Sequence, residues 1–192
     1  PVSGDRLVSR LKALGDIGAL PGGGVSRLAL TAADGQGRDL VVSWMRAAGL
    51  EVRIDPVGNI FGTRAGTVSG PSVMIGSHID TVATGGLYDG NLGVLAGLEV
   101  IEALNDGQIA TQKPVTVAAF TNEEGARFQP DMLGSLVHVG GLPLNEALDT
   151  VSIDGARLGD ELKAIGYAGT APLGGIKAAA YLEYHIEQGP VL

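Results

Sequence analysis

Residues 72–104 read SVMIGSHIDTVATGGLYDGNLGVLAGLEVIEAL. The opening run, 72–77, is short, β-rich and apolar, as a buried strand is. From 91 to 104 the apolar stripe Leu95, Leu98, Ile101 and Leu104 has helical spacing. A glycine-bearing polar loop joins the two, and a second apolar run at 115–120 predicts another buried strand. Strand, loop, helix and strand in that order predict an α/β domain with a parallel sheet.

The flanking chain extends this pattern. Asp5 can cap a helix carrying Leu7, Val8, Leu11 and Leu14, closed by Gly15. A second helix spans 31–48, with Leu40, Val41, Trp44, Met45 and Ala48 on one stripe and Gly49 at its end. Runs 50–55 and 59–64, joined by Pro56-Val57-Gly58, predict an antiparallel hairpin. Further on, 144–148 reads as a short helix, Asp154 as the cap of a helix with Leu158, Leu162 and Ile165 closed by Gly166, and 178–186 as a strand. The expected fold is α/β, with a largely parallel central sheet, flanking helices and an added antiparallel hairpin, and with no linker inside residues 1–192.

Composition narrows the function. With 192 residues and 45% apolar content there is enough chain for a sizeable core. The 31 glycines fall between apolar runs without a fixed period and read as loop chemistry. A formal charge of −8, with 13 scattered Lys and Arg, argues against nucleic acid as a partner. Cysteine is absent, which excludes disulfides and thiolate ligands, so any transition metal must use His and carboxylates. No apolar run approaches bilayer length, and the expectation is a cytoplasmic protein without a membrane partner.

In open α/β sheets, ligands bind beyond the carboxyl ends of the strands. Three such ends here are polar: Gly76-Ser77-His78-Ile79-Asp80, Thr121-Asn122-Glu123-Glu124-Gly125, and residues 183–190 with His185 at the centre. Asp80, two residues from His78, can accept a hydrogen bond from the ring nitrogen not used for a metal; an ordinary satisfied His beside a capping Asp reads the same way. Asp89 begins the turn before the helix and is either a bridging carboxylate or an N-cap. Glu123 and Glu124 diverge in an extended backbone, so one can bind metal while the other faces a reacting water; as acids in a first helical turn they would be unremarked. His185, in an apolar strand, needs a partner, which a core hydrogen bond would supply as well as a metal. His138 lies in an apolar stretch with nothing polar recurring around it and reads as a packed side chain.

The ordered set is more specific than its members. GSHIDTVATGGLYDGNLGVLAGLEVIEAL (76–104), TNEEGARFQPDMLGSLVHVGG (121–141) and YHIEQGPVL (184–192) resemble the N-carbamoyl-L-amino-acid hydrolases, allantoate amidohydrolases and β-ureidopropionase relatives, and residues 24–62 look like the same family. The resemblance implies a zinc-exopeptidase-like catalytic domain binding two divalent metal ions, drawn from Zn, Mn, Co and Ni, with zinc or manganese expected. His78, Asp89 and His185 would hold one ion, and Asp89 would bridge to a second held by Glu124. Glu123 would be the general base, Asp80 the orienter of His78, and Gln188 a contact to the ureido group. Residues 1–192 would be the N-terminal portion of the catalytic domain, with a further His ligand and a lid or dimerisation domain lying beyond Leu192, and the complete protein a homodimer. His138 and Leu87 depart from the commoner residues of the family.

The implied reaction is hydrolysis of the carbamoyl C–N bond of an N-carbamoyl-L-amino acid. Allantoate hydrolysis, or dipeptidase or aminoacylase activity, are neighbouring alternatives. An alternative of another kind is a non-catalytic fragment that needs a second polypeptide.

Overall fold

In the computed structural model, which describes residues 1–187, each polar strand end is reached by a distinct piece of chain. The order is α1 (Gly4–Gly15), α2 (Ala32–Ala47), β1 (Glu51–Ile54), β2 (Ile60–Arg64), β3 (Ser72–His78), α3 (Asn91–Asp106), β4 (Val115–Phe120), α4 (Leu133–His138), α5 (Leu144–Asp149), α6 (Leu158–Ala164) and β5 (Ala178–Leu182). The five strands form one sheet in the order β1-β2-β4-β3-β5. β3 pairs in parallel with β4 and β5, whereas β2 is antiparallel to both β1 and β4. Four strands therefore share one direction and only β2 opposes them, which is the expected parallel sheet with a hairpin added at one side.

The main core lies between the sheet and α1–α3. Val115, Val117 and Ala119 of β4 pack there with Leu14, Val41, Met45, Val94, Leu95, Leu98 and Ile101. The opposite face carries a smaller cluster, Phe61, Met74 and Ala118, against which Phe120 and Ile176 pack. Alternation along β4 explains the division, since residues two apart share a face of a strand.

Two buried arginines tie the helices to the loops that carry the polar residues. Arg27 donates to the carbonyls of Leu14, Ile17 and Ile79 and to Asn91 Oδ1, at 2.8–2.9 Å. It thereby links the end of α1, the chain after β3 and the start of α3. Arg38 pairs with Asp34 at 2.8 Å and donates to Gly58 O at 2.7 Å and Thr121 Oγ1 at 3.3 Å, joining α2 to the hairpin turn and to the end of β4.

Three expectations about local structure change. Ser3, not Asp5, caps α1, because its hydroxyl accepts from the Arg6 amide. Asp154 does not cap α6, whose N-cap is Arg157; its carboxylate accepts instead from Arg127 at 3.0 Å and from the Ser152 hydroxyl. The final strand ends at Leu182, so residues 183–187 leave the sheet. α4 had no sequence counterpart, since six residues are too few to establish a period.

Candidate metal centre

β3 ends at His78, and the ring is fixed from below. His78 Nδ1 lies 2.9 Å from the carbonyl oxygen of Asp80, which can only accept, so Nδ1 carries a proton and Nε2 is the atom free to face a metal in the neutral ring. The orienter of His78 is thus the backbone of Asp80 and not its carboxylate. That carboxylate is fully buried and accepts from the amides of Glu123 (3.2 Å) and Glu124 (3.3 Å), so it fixes the loop after β4.

The same loop is turned by Asn122, whose φ of +53° lies in the left-handed region that Asn tolerates better than most residues. The Asn122 side-chain amide donates to the carbonyls of Phe128 and Pro130. The backbone carbonyls of residues 121–123 accept from the amides of Gly134, Leu133 and Met132 at the start of α4. Glu123 and Glu124 are therefore loop residues and not part of a first helical turn.

Asp89 precedes α3, whose N-cap is Gly90, and its backbone carbonyl accepts from the Asn91 amide at 2.7 Å. The Asp89 carboxylate lies 3.2 Å from His185 Nε2 and 4.0 Å from His78 Nε2. His185 is not a strand residue: it sits in the chain after β5, with Nδ1 2.6 Å from the carbonyl of Ile186. Both imidazoles thus donate from Nδ1 to a carbonyl and turn Nε2 towards one another across 3.4 Å, beside the carboxylates of Asp89 and Glu123. In the neutral rings both Nε2 atoms carry lone pairs, which repel unless a cation stands between them, so the arrangement fits a bound metal.

Other features agree with that fit. One ligand atom each from His78, Asp89 and His185 lies within 4.8 Å of the other two, the geometry of a shared ion. Glu124 is not a member of this group, but its Oε1 is buried without a hydrogen-bond partner among the described residues. Burial, reinforced by the charges of Asp89, Asp80 and Glu123 against the opposing His78, pushes the Glu124 carboxyl up to about 7. Such a group is short of positive charge. Burial raises Glu123 as well, with Asp80 and Glu183 adding to the effect and His78 and His185 opposing it. Burial works against charging His78, but Asp80, Glu123 and Glu124 outweigh it and the ring is raised overall. The donor set of imidazole and carboxylate suits Zn, Mn, Co or Ni.

Glu123 Oε2 stands 3.4 Å from His78 Nε2 and is about one-third exposed, at the mouth of the group. A cavity of about 680 Å³ opens beside it, with Phe120, Met132, His138 and Tyr181 among its walls. His138 packs there with its ring 5.0 Å from Phe61 and 6.0 Å from Phe120. Gln188 falls outside the described residues. Gly90, unnoticed as more than a turn residue in the sequence, proves to be a site residue because the His78 ring rests on it. Arg27 is another, and its only sequence signal was its place inside a stretch of family resemblance.

Comparison with known proteins places the chain among relatives of the same fold. Residues 74–192 match the family described as peptidase family M20/M25/M40. An N-carbamoyl-L-amino-acid amidohydrolase of Rhizobium meliloti is 48% identical over 100% of this chain and 46% of its own length. A probable allantoate deiminase of Oryza sativa is 40% identical over 98% of this chain and 40% of its own length. Among solved structures, a hydantoinase/carbamoylase family amidase from Burkholderia vietnamiensis superposes with a TM-score of 0.96 at 52% identity, over 99% of this chain and 46% of that one. The chain spans about half the length, or less, of the curated relatives it matches. From the matched residues and the fold they share, the chain belongs to peptidase family M20/M25/M40.

Proposed function

We propose that the protein of which this chain is a part hydrolyses the carbamoyl C–N bond of N-carbamoyl-L-amino acids with the help of divalent metal ions. One observation carries the reading: ligand atoms of His78, Asp89 and His185 converge within 4.8 Å of one another, beside a half-buried Glu123. The Rhizobium relative's name supplies the substrate class.

His78, Asp89 and His185 would hold one ion, with Asp89 and Glu124 contributing to a second. Bound there, such ions supply Lewis acidity, polarising a ureido carbonyl and lowering the pKa of water. Glu123 takes the proton of the attacking water at its carboxylate and returns it to the departing nitrogen. The ureido C–N bond breaks, ammonia leaves, and the remaining carbamate loses carbon dioxide to give the free amino acid. Asp80 holds the amides of Glu123 and Glu124, and so sets where the base stands. On the motif resemblance, Gln188 would contact the ureido group. Zinc or manganese as the native ion, a homodimer and a cytoplasmic setting belong to the same proposal and rest on the motif resemblance.

Allantoate is a second ureido substrate, favoured by the Oryza relative. Ammonia release from N-carbamoyl amino acids and from allantoate separates the two. Glu123→Gln tests the mechanism: a fall in kcat of roughly 10²-fold or more with metal content unchanged is expected for a lost general base, whereas near-normal turnover would remove Glu123 from that role.

A further inference from the structure

His185 reaches Asp89 from chain that has already left the sheet. β5 ends at Leu182, so no strand pairing positions residues 183–187, and the His185 side chain is 37% exposed. Something else must hold this segment, because a ligand free to wander would lose ordering entropy each time an ion bound.

Glu183 supplies the tie. Its Oε1 accepts from Ser77 Oγ at 2.5 Å and its Oε2 from Tyr181 OH at 2.8 Å. The Tyr181 hydroxyl also lies 3.1 Å from the carbonyl of Gly76. Ser77 immediately precedes His78, so this one carboxylate bonds the neighbour of one imidazole while standing two residues before the other. A close approach completes the seat: a Cβ on Gly93 would stand 2.9 Å from the Tyr184 carbonyl oxygen and 2.8 Å from Ser77 Cβ. The first turn of α3, just beyond Asp89, therefore touches the segment directly and admits no side chain at that point.

We propose that Glu183 is a positioning residue for His185, its carboxylate clamping the chain after β5 onto β3 so that His185 meets Asp89 and a divalent cation between them. This rests on the metal reading above. The test uses the full-length protein and Zn²⁺ alone, its affinity measured by competition with a chromophoric chelator, together with the visible absorption of the Co²⁺-substituted protein and circular dichroism as a check of folding.

Glu183→Ala is expected to weaken Zn²⁺ roughly tenfold, within the range seen when groups supporting a ligand are removed, and to alter the Co²⁺ band. Glu183→Gln, which keeps one acceptor oxygen, recovers part of the loss. A folded Glu183→Ala protein with Zn²⁺ affinity within about twofold of the parent and an unchanged Co²⁺ band overturns the inference. Should Glu183→Ala not fold, the double variant Ser77→Ala/Tyr181→Phe, which removes both donors, takes its place with the same criterion. His185→Ala separates the two levels. If it weakens Zn²⁺ while Glu183→Ala does not, the clamp alone is wrong; if it leaves Zn²⁺ binding unchanged, the metal reading fails and the clamp with it.

Discussion

Gly90 lies directly beneath the imidazole of His78: a Cβ added to it would fall inside van der Waals distance of Cε1, Nε2 and Cδ2 of the ring. Its φ of +65° is also one that residues other than glycine rarely adopt. The turn between Asp89 and α3 thus brings the Asp89 carboxylate beside His78 only because residue 90 has no side chain.

Gly90→Ala is therefore expected to cost both stability and metal. The backbone conformation alone, φ +65° and ψ −47°, disfavours alanine by about 1–3 kcal/mol, and the methyl must displace the His78 ring. Urea unfolding measures the first effect and elemental analysis the second. Full metal occupancy in the variant would show that the ring had somewhere else to go.

Asp80→Asn separates the two jobs done by residue 80. The carbonyl that fixes His78 Nδ1 survives, but an amide offers one acceptor oxygen where two amides now donate. The ion at His78, Asp89 and His185 is expected to bind nearly as before, whereas the ion that Glu124 would help to hold weakens and kcat falls by roughly 10²-fold or more, since the loop carrying the base is displaced. Loss of the ion at His78 in step with turnover would instead tie the carboxylate to His78.

Arg27→Met probes the buried link between the end of α1, the chain after β3 and the start of α3. It removes the donor to Ile79 O, Ile17 O and Asn91 Oδ1, whereas Leu14 O keeps the Ile17 amide. Each unsatisfied buried acceptor costs about 1–3 kcal/mol, so loss of folding, or an unfolding free energy lowered by several kcal/mol, is expected. A variant unfolding within about 0.5 kcal/mol of the parent would mean that these groups find other partners.

The contact between α1 and α3 gives a pH dependence distinct from the site. Glu99 is buried and accepts from the Ser3 amide and from Arg6 at 2.5–2.9 Å. Burial raises its carboxyl, but Arg6, Ser3 and the charge of Arg10 more than offset this, and the folded pKa is lowered. A lowered carboxyl adds stability above its unfolded pKa of about 4.3, lost as pH falls through the folded value. The parent should therefore exceed Glu99→Gln in unfolding free energy by about 1–2 kcal/mol at pH 7, with the gap closing towards pH 3. A gap independent of pH would contradict this.

Much of this was legible in the sequence for identifiable reasons. The β3 and β4 runs are apolar on both faces and end abruptly in polar residues, so both strands and the placing of His78 and Glu123 followed from pattern alone. Gly49 closed α2 for an equally local reason, a glycine with φ of +80°, whereas the Thr31 hydroxyl cap emerges only in the structure. Asp5 and Asp154 misled because an acid near a helix start looks like a cap whether or not its oxygen reaches an amide. Asp80 shows a different limit: spacing brings it beside His78, but only coordinates distinguish its carbonyl from its carboxylate. The segment 183–186 looked like strand because its residues suit one, whereas pairing partners decide where a strand stops.

Anomalous diffraction at the zinc edge from crystals of the Zn²⁺-loaded protein bears on the metal centre with the fewest intermediate assumptions. A peak at about 2.0–2.2 Å from Nε2 of both His78 and His185 and from an Asp89 oxygen is expected. A stoichiometric ion bound elsewhere, with the two imidazoles still facing each other and no peak between them, would contradict it.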